Sequence, residues 1–122
     1  MATAAMIRKR KRQPIQHTIY IEIQDGRFTY RDQDTILARG KHAHHEDQVG
    51  WESKTGEDFT IAFVEWPFAG RLKVLKSKRG KVSPLQVHPN AKEDYEYKYT
   101  VSMLSSGLSD DPDIIIDPCN GG

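Results

Sequence analysis

Residues 49–63 have the pattern of two β-strands separated by a short polar turn. Side chains of an extended chain alternate between its two faces, so residues two apart share a face. The residues that share a face are Val49, Trp51 and Ser53 in the first strand and Phe59, Ile61 and Phe63 in the second. Residues 54–58 between them are polar and include a glycine, which is typical of a hairpin loop. The segment therefore predicts two aromatic-rich strands at the centre of a sheet core.

Alternating apolar and polar residues recur elsewhere in the chain. Residues 15–24 carry isoleucine at alternate positions, and Asp25-Gly26 after them is a preferred dipeptide for a two-residue hairpin turn. Residues 95–103 alternate in the same way, and the three adjacent isoleucines of residues 113–117 indicate burial on both faces of an internal strand. Since no convincing amphipathic helix is found, the chain is predicted to be an all-β Greek-key sandwich of about seven strands.

The inward-facing positions of these strands predict the main core. Its expected members are Trp51, Phe59, Ile61, Phe63, Tyr97, Tyr99 and Val101. His17 has the inward parity of the first strand, where a packed and hydrogen-bonded imidazole is expected rather than a metal ligand.

The central segment resembles part of the cupredoxin-like β-sandwich family. Those proteins often contain Val-x-Trp-x-Asn, a short turn and then His-Thr-Ile-x-Phe. The corresponding residues here are Val49, Trp51 and Ser53, followed by Phe59, Thr60, Ile61, Ala62 and Phe63. Residues 95–101 and 113–117 look like the family's last two strands, so the resemblance covers residues 48–118. It implies a cupredoxin-like or immunoglobulin-like sandwich.

The resemblance raises the question of copper, for which this chain lacks the family's ligands. A blue-copper site needs two imidazoles and a thiolate, usually with a weak axial thioether. Phe59 stands where the family has its first ligating histidine, and Val101 lies about where its cysteine would stand. The loop of residues 102–112 offers Met103 but neither cysteine nor histidine. The resemblance therefore implies a metal-free domain without a cofactor, in which apolar side chains fill the vacant site.

The length of 122 residues suits one domain with one core. Residues 1–14 are expected to be a flexible basic arm, residues 15–118 the β-sandwich domain, and residues 119–122 a tail. No segment approaches the roughly 18 apolar residues of a membrane span, so no membrane insertion is expected. Cys119 is the single cysteine and no secretory signal is visible, so a cytoplasmic location is expected.

Basic residues are concentrated in two segments, although the net charge is only +1. Residues 8–12 hold five of them, and residues 71–81 hold Arg71, Lys73, Lys76, Lys78, Arg79 and Lys81. Blocks of this kind are usually solvated, and some bind phosphates or acidic partners. One hypothesis is therefore a nucleic-acid or polyanion binder that uses the basic arm and the 71–81 loop.

The 71–81 segment is also expected to contain a short edge strand, with outward lysines that protect it from pairing with another molecule. Its expected apolar anchors are Leu72, Val74 and Leu75. Trp66 and Phe68, beside Pro67, are the candidates for the exposed part of an apolar binding patch.

A second alternative is metal binding by clustered histidines. His-x-His places two imidazoles on one side of an extended chain, and three nearby imidazoles can bind Cu(II), Ni(II) or Zn(II). The residues concerned are His42, His44 and His45. Histidine-rich surface loops also bind metals adventitiously, so no biological metal site is expected there.

No catalytic motif is found, since the chain has neither a Gly-x-Ser-x-Gly elbow nor a phosphate-binding glycine motif. The leading hypothesis is a noncatalytic, metal-free β-sandwich interaction module that binds another macromolecule, with a protein as the expected partner. Its expected binding residues are Trp66, Phe68, Arg71, Lys73, Lys76, Lys78 and Arg79.

Overall fold

The computed structural model describes residues 13–31, 36–37 and 40–117. Most of the predicted arm, Cys119 and the predicted tail lie outside these residues. The strands are β1 Gln16–Gln24, β2 Arg27–Arg31, β3 Ile36–Leu37, β4 Gly40–Ala43, β5 Gln48–Ser53, β6 Phe59–Phe63, β7 Val74–Lys76, β8 Lys81–Gln86, β9 Glu96–Met103, β10 Ser109–Asp110 and β11 Asp113–Ile116. Within the described ranges, no helix is long and apolar enough to cross a membrane.

The strands form two sheets whose inner faces share one core. The order in the first sheet is β3-β2-β1-β5-β8, and in the second it is β4-β11-β9-β6-β7, with β10 paired to β9. Both sheets are mixed, because the β1–β5 and β4–β11 pairs are parallel whereas the other pairs are antiparallel. The all-β fold predicted from the sequence is confirmed.

The described residues form eleven strands, whereas the sequence predicts about seven. The additional strands include very short ones, since β3 and β10 have two residues each and β4 has four. Such strands leave too few positions for an alternating pattern to be recognised in a sequence.

The first predicted hairpin is confirmed. β1 and β2 pair with Gln24 opposite Arg27, so Asp25 and Gly26 form a two-residue turn. Their φ angles are 54° and 76°, which is the left-handed conformation that this turn requires at both positions.

The hairpin predicted for residues 49–63 is wrong, although both of its strands are present as β5 and β6. β5 pairs with β1 and β8 whereas β6 pairs with β9 and β7, so the turn carries the chain from one sheet to the other. A polar turn with a glycine suits either connection, which is why the local sequence does not distinguish them. As a consequence, Trp51 and Phe63 meet across the core, with ring centroids 6.2 Å apart.

The core contains all seven residues predicted for it, each no more than 5% exposed. Trp51 Nε1 donates a hydrogen bond to the Tyr99 hydroxyl at 3.2 Å, and the two ring centroids are 5.6 Å apart. This bond satisfies a polar indole group inside an apolar core. Burial raises the pKa of the Tyr99 hydroxyl well above its usual range.

The last strand, β11, lies inside its sheet between β4 and β9, as predicted. Ile114 and Ile116 are fully buried and Ile115 is partly buried. A strand covered on both faces accounts for three consecutive isoleucines.

Candidate functional site

A groove of about 460 Å³ lies between the β6–β7 connection and the β8–β9 connection, next to Tyr97 of β9. Four residues that the sequence proposed for binding, Trp66, Phe68, Arg71 and Lys73, line it. Its other lining residues are Gly70, Leu72, His88, Asn90, Ala91, Lys92 and Tyr97. The fold thus combines aromatic and basic side chains from two separate connections in one concave surface.

Phe68 anchors the β6–β7 connection, and its predicted exposure is wrong because only 1% of it is exposed. Its ring centroid lies 5.5 Å from that of Phe63 and 6.1 Å from that of Trp51. Pro67, which precedes it, is hydrogen-bonded to the segment after β8, since the His88 N–H donates to the Pro67 carbonyl at 2.8 Å. Proline ends the strand pattern, so strand parity cannot show that the next phenylalanine turns into the core.

Trp66 forms a partly exposed wall of the groove. Its ring packs edge-on against Phe63 and Phe68, with centroid distances of 5.6 Å and 5.2 Å. Its Nε1 donates to the Ala69 carbonyl at 3.3 Å. The ring is therefore held in one orientation while part of it remains accessible, as is typical of aromatic anchors in protein interfaces.

The groove carries positive charge on one side. Arg71 and Lys73 are exposed, and neither forms an ion pair with another described residue. Residues 66–92 contain seven lysines and arginines and no aspartate or glutamate. A concave surface with charges of one sign concentrates ligands of the opposite sign.

Lys92 adds a third cation to the groove, from a segment that no sequence motif singled out. Its Nζ lies 3.5 Å from a carboxylate oxygen of Glu65 and 4.5 Å from the ring centroid of Tyr95. The Tyr95 hydroxyl donates to Glu65, and this hydrogen bond lowers the pKa of Glu65 and raises that of Tyr95. Lys92 is thus positioned by an acid and an aromatic ring, which only the folded chain brings together.

The remaining predicted binding residues lie apart from the groove. Lys76 is on β7, and Lys78 and Arg79 are in the turn that leads to β8. Lys78 and Lys81 exchange backbone hydrogen bonds of 2.8 Å and 3.1 Å across this turn. The expected binding set is therefore divided between the groove and the edge of the second sheet.

β7 is the last strand of its sheet, and two of its three expected apolar anchors are wrong. Leu75 is buried, whereas Leu72 and Val74 are 58% and 53% exposed. Val74 lies on the face opposite to Leu75, because side chains alternate along a strand, and Leu72 lies in the segment that leads to β7. Val64 is 75% exposed and directly follows β6, the strand that pairs with β7. We call Val64, Leu72 and Val74 the outer apolar patch.

The three histidines considered as metal ligands do not converge. His42 Nδ1 lies 2.8 Å from one carboxylate oxygen of Asp117, and His44 Nε2 lies 3.9 Å from the other. His45 Nε2 instead donates to the Ala91 carbonyl at 2.9 Å. Among the residues that the structure covers, no three or more His, Cys, Asp and Glu side chains are grouped to hold a metal ion.

The two positions at which the cupredoxin resemblance would place copper ligands are in the core. Phe59 and Val101 are both fully buried, on the neighbouring strands β6 and β9. Their side chains provide hydrophobic packing, as the sequence predicts.

Comparison with known proteins yields no matching family model and no matching curated relative. Among solved structures, the chain is similar to McoA, a multicopper oxidase from the hyperthermophile Aquifex aeolicus. The TM-score is 0.43 and the sequence identity is 10%, and the match covers 88% of this chain and 28% of that chain. The match therefore spans less than a third of that oxidase, and the likeness supports no conclusion about the activity of the present protein.

Proposed function

We propose that this protein is a noncatalytic, metal-free interaction domain that binds a segment of a protein partner in the groove beside Trp66. The observation that carries the proposal is a partly exposed, rigidly held tryptophan in a groove lined by Arg71 and Lys73. Tryptophan and arginine are enriched among the residues that dominate binding energy in protein interfaces. The partner segment would therefore offer an apolar side chain to Trp66 and acidic side chains to the basic wall.

His88 is a polar residue of the groove that a local hydrogen bond orients. In the groove, Nδ1 of His88 accepts the backbone N–H of Asn90 at 2.9 Å. This bond holds the His88 ring within a local turn at the wall of the groove.

The proposal is tested by comparing partner capture by four immobilised proteins, which are the wild type, Trp66→Ala, the double variant Arg71→Glu with Lys73→Glu, and Lys54→Glu. Lys54 is the matched control, because it is exposed in the β5–β6 turn and lies over the Tyr20 ring of the first sheet. Captured proteins are quantified by mass spectrometry, and each is then titrated directly by calorimetry.

We expect the wild type and the Lys54 variant to bind the same partner and the two groove variants to lose it. Trp66→Ala removes the anchor expected to supply most of the affinity, and the double charge reversal replaces attraction of the partner's acidic side chains by repulsion. Equal affinity of the partner for all four proteins would refute the groove as the binding site.

Binding of nucleic acid or another polyanion is the second candidate function. The exposure of Lys76, Lys78 and Arg79 favours it, since these cations form no ion pair with another described residue. Binding through phosphates releases counterions, so its affinity falls linearly with salt on a log–log plot. Binding of a protein segment would instead depend on Trp66, with the charges acting chiefly on the association rate.

The two candidates are separated by fluorescence anisotropy with labelled single-stranded and duplex oligonucleotides at several salt concentrations. Neutralising Lys76, Lys78 and Arg79 to glutamine, and separately deleting residues 1–13, would each flatten the salt slope of a polyanion binder. A salt-sensitive submicromolar complex that tolerates Trp66→Ala would favour the second candidate over the first.

A further inference from the structure

We propose that strand β7 accepts an extended acidic segment of the partner as an additional strand of the second sheet. This inference rests on the proposed function and names the way in which the partner would bind. The added strand would continue past Lys73 into the groove, because Leu72 and Lys73 belong both to the approach to β7 and to the groove lining.

The backbone of β7 has a free side. The Phe63 N–H donates to the Lys73 carbonyl at 2.8 Å, and the Ser77 N–H donates to the Phe59 carbonyl at 2.9 Å. In an antiparallel pair, successive residues alternate between facing the partner strand and facing away from it. Residues 73, 75 and 77 therefore face β6, whereas the N–H and C=O groups of Val74 and Lys76 face outward.

No described strand pairs with that outward side, since β7 ends the strand order of its sheet. Unpaired edge groups of this kind can bind an extended peptide through main-chain hydrogen bonds, with side-chain contacts adding specificity.

Apolar side chains lie beside this free edge. Val74 is 53% exposed on the face opposite to the buried Leu75, and the neighbouring Leu72, before β7, and Val64, after β6, are 58% and 75% exposed. Side chains of an added strand would contact their neighbours on this face at alternate positions. The outer apolar patch would therefore select apolar residues at every second position of the partner segment.

The charge around β7 specifies an acidic partner. Arg71, Lys73, Lys76, Lys78 and Arg79 are all exposed within nine residues of chain, and residues 66–92 contain no acid. Lysines on an edge strand ordinarily oppose pairing with a second copy, because they bring like charges together. The same cations would attract an added strand that carries glutamate or aspartate.

The test uses a fluorescein-labelled peptide of about eight residues in which valine and glutamate alternate, a length that spans an ordinary strand. Two variants isolate the backbone contribution. Val74→Pro removes the outward N–H, which proline tolerates at a sheet edge, and Val74→Ala shortens the side chain but keeps that N–H. Circular dichroism and thermal melting establish that both variants fold.

We expect the Val74→Pro variant to bind the peptide at least about fivefold more weakly than the Val74→Ala variant, as loss of one main-chain hydrogen bond implies. In a second peptide, N-methyl groups at alternate residues replace the backbone N–H donors that would face β7. This peptide should bind the wild type more weakly than the unmethylated peptide, to a similar extent. A peptide of the same composition in which the glutamates are grouped together should also bind the wild type more weakly. Its valines would no longer lie at alternate positions, where they can contact the outer apolar patch.

Each contrary outcome has a distinct meaning. If the peptide binds both Val74 variants equally but the Arg71→Glu, Lys73→Glu variant loses it, strand addition is wrong while the groove proposal stands. Strand addition is also wrong if the peptide does not bind the wild type at millimolar concentration. It is wrong as well if an oligonucleotide displaces the peptide from a site that Val74→Pro leaves intact. If analytical ultracentrifugation shows a dimer that the Val74→Pro substitution dissociates, the strand that pairs with β7 comes from a second copy of this chain and not from an acidic partner.

Discussion

His17 Nε2 lies 2.8 Å from Oδ2 of Asp47, whose side chain is completely buried. The same carboxylate accepts the backbone N–H of Ile15 at 2.8 Å and that of His44 at 3.1 Å. The hydrogen-bonded histidine expected at position 17 is thereby confirmed. Asp47 lies in the loop before β5, and its hydrogen bonds join this loop to the start of β1. β1 and β5 pair in parallel.

Asp47→Ala is expected to destabilise the fold by about 3–5 kcal/mol, because three hydrogen bonds lose their buried acceptor at about 1–3 kcal/mol each. Urea unfolding followed by tryptophan fluorescence measures the loss. Glu96→Ala is the control, since Glu96 is exposed on β9 and its removal should change stability by less than about 0.5 kcal/mol. Equal effects of the two substitutions would contradict a structural role for the buried carboxylate.

Phe59→Ala is expected to cost about 3–5 kcal/mol, as is usual when a buried aromatic side chain is truncated. Phe59 is fully buried on β6, opposite Met103 of β9. Thr60→Ala on the opposite face of the same strand serves as the control in the urea measurement. A cost for Phe59→Ala below about 1 kcal/mol would mean that the inward register of β6 is wrong.

Gly50→Ala is expected to destabilise the protein by about 1–3 kcal/mol through steric overlap. An added Cβ would lie 2.8 Å from the Val82 carbonyl oxygen and 3.2 Å from Cα of Pro84. Both atoms belong to the backbone of β8, which cannot yield as a side chain does. Ser83→Ala, at an exposed neighbouring position, is the control for the thermal melts, and equal melting temperatures for the two variants would contradict the close approach.

Asp58→Asn is expected to lower stability at neutral pH, with the difference from wild type narrowing in acid. The backbone N–H of Gly80 and the hydroxyl of Ser77 donate to Asp58 at 2.8 Å each and hold its pKa below the ordinary 3.8. Since the folded pKa is lower than the unfolded one, the ionised group stabilises the fold above the unfolded pKa. This contribution is lost as the pH falls through the folded pKa.

Urea midpoints of wild type and Asp58→Asn at pH 7 and at about pH 3 test this pH dependence. Asp94→Asn, at an exposed position, is measured under the same conditions as a control. A difference between wild type and Asp58→Asn that stays constant across this pH range would argue against stabilisation by the ionised Asp58.

Addition of Cu(II) to the purified protein is expected to produce no intense thiolate-to-copper absorption band. The positions at which the resemblance to cupredoxin-like proteins would place the first histidine and the cysteine hold Phe59 and Val101, which supply no metal ligand. Any weak copper binding should disappear in a triple alanine variant of His42, His44 and His45. An intense blue species that requires Cys119 would contradict this expectation.

The alternating pattern predicted most of the longer strands and the core, because burial on one face of a strand imposes a period of two on the sequence. The seven expected core residues are buried, and the Asp25-Gly26 turn has the expected conformation. The sequence did not show which strands pair with each other. The parallel partner of β1 is β5, and the partner of β4 is β11, so both contacts join distant segments that local signals do not connect.

The candidate site was predicted in part. Trp66, Arg71 and Lys73 were singled out by residue type, and the fold places them along one groove. Lys92 and His88 were missed because they reach the groove from another connection, which depends on tertiary contacts. The exposure of Leu72 and Val74 follows from strand parity once Leu75 is known to face inward, but residue type alone suggested the opposite.

The central position of β11 has a consequence for the order of events during synthesis. Residues 113–116 pair on one side with β4 and on the other with β9, so the second sheet cannot close until they have left the ribosome. Until then the nascent chain exposes two unpaired strand borders and an apolar cleft that Ile114 and Ile116 later fill. Chains that stall before residue 113 would therefore be substrates for chaperones and prone to associate through these borders.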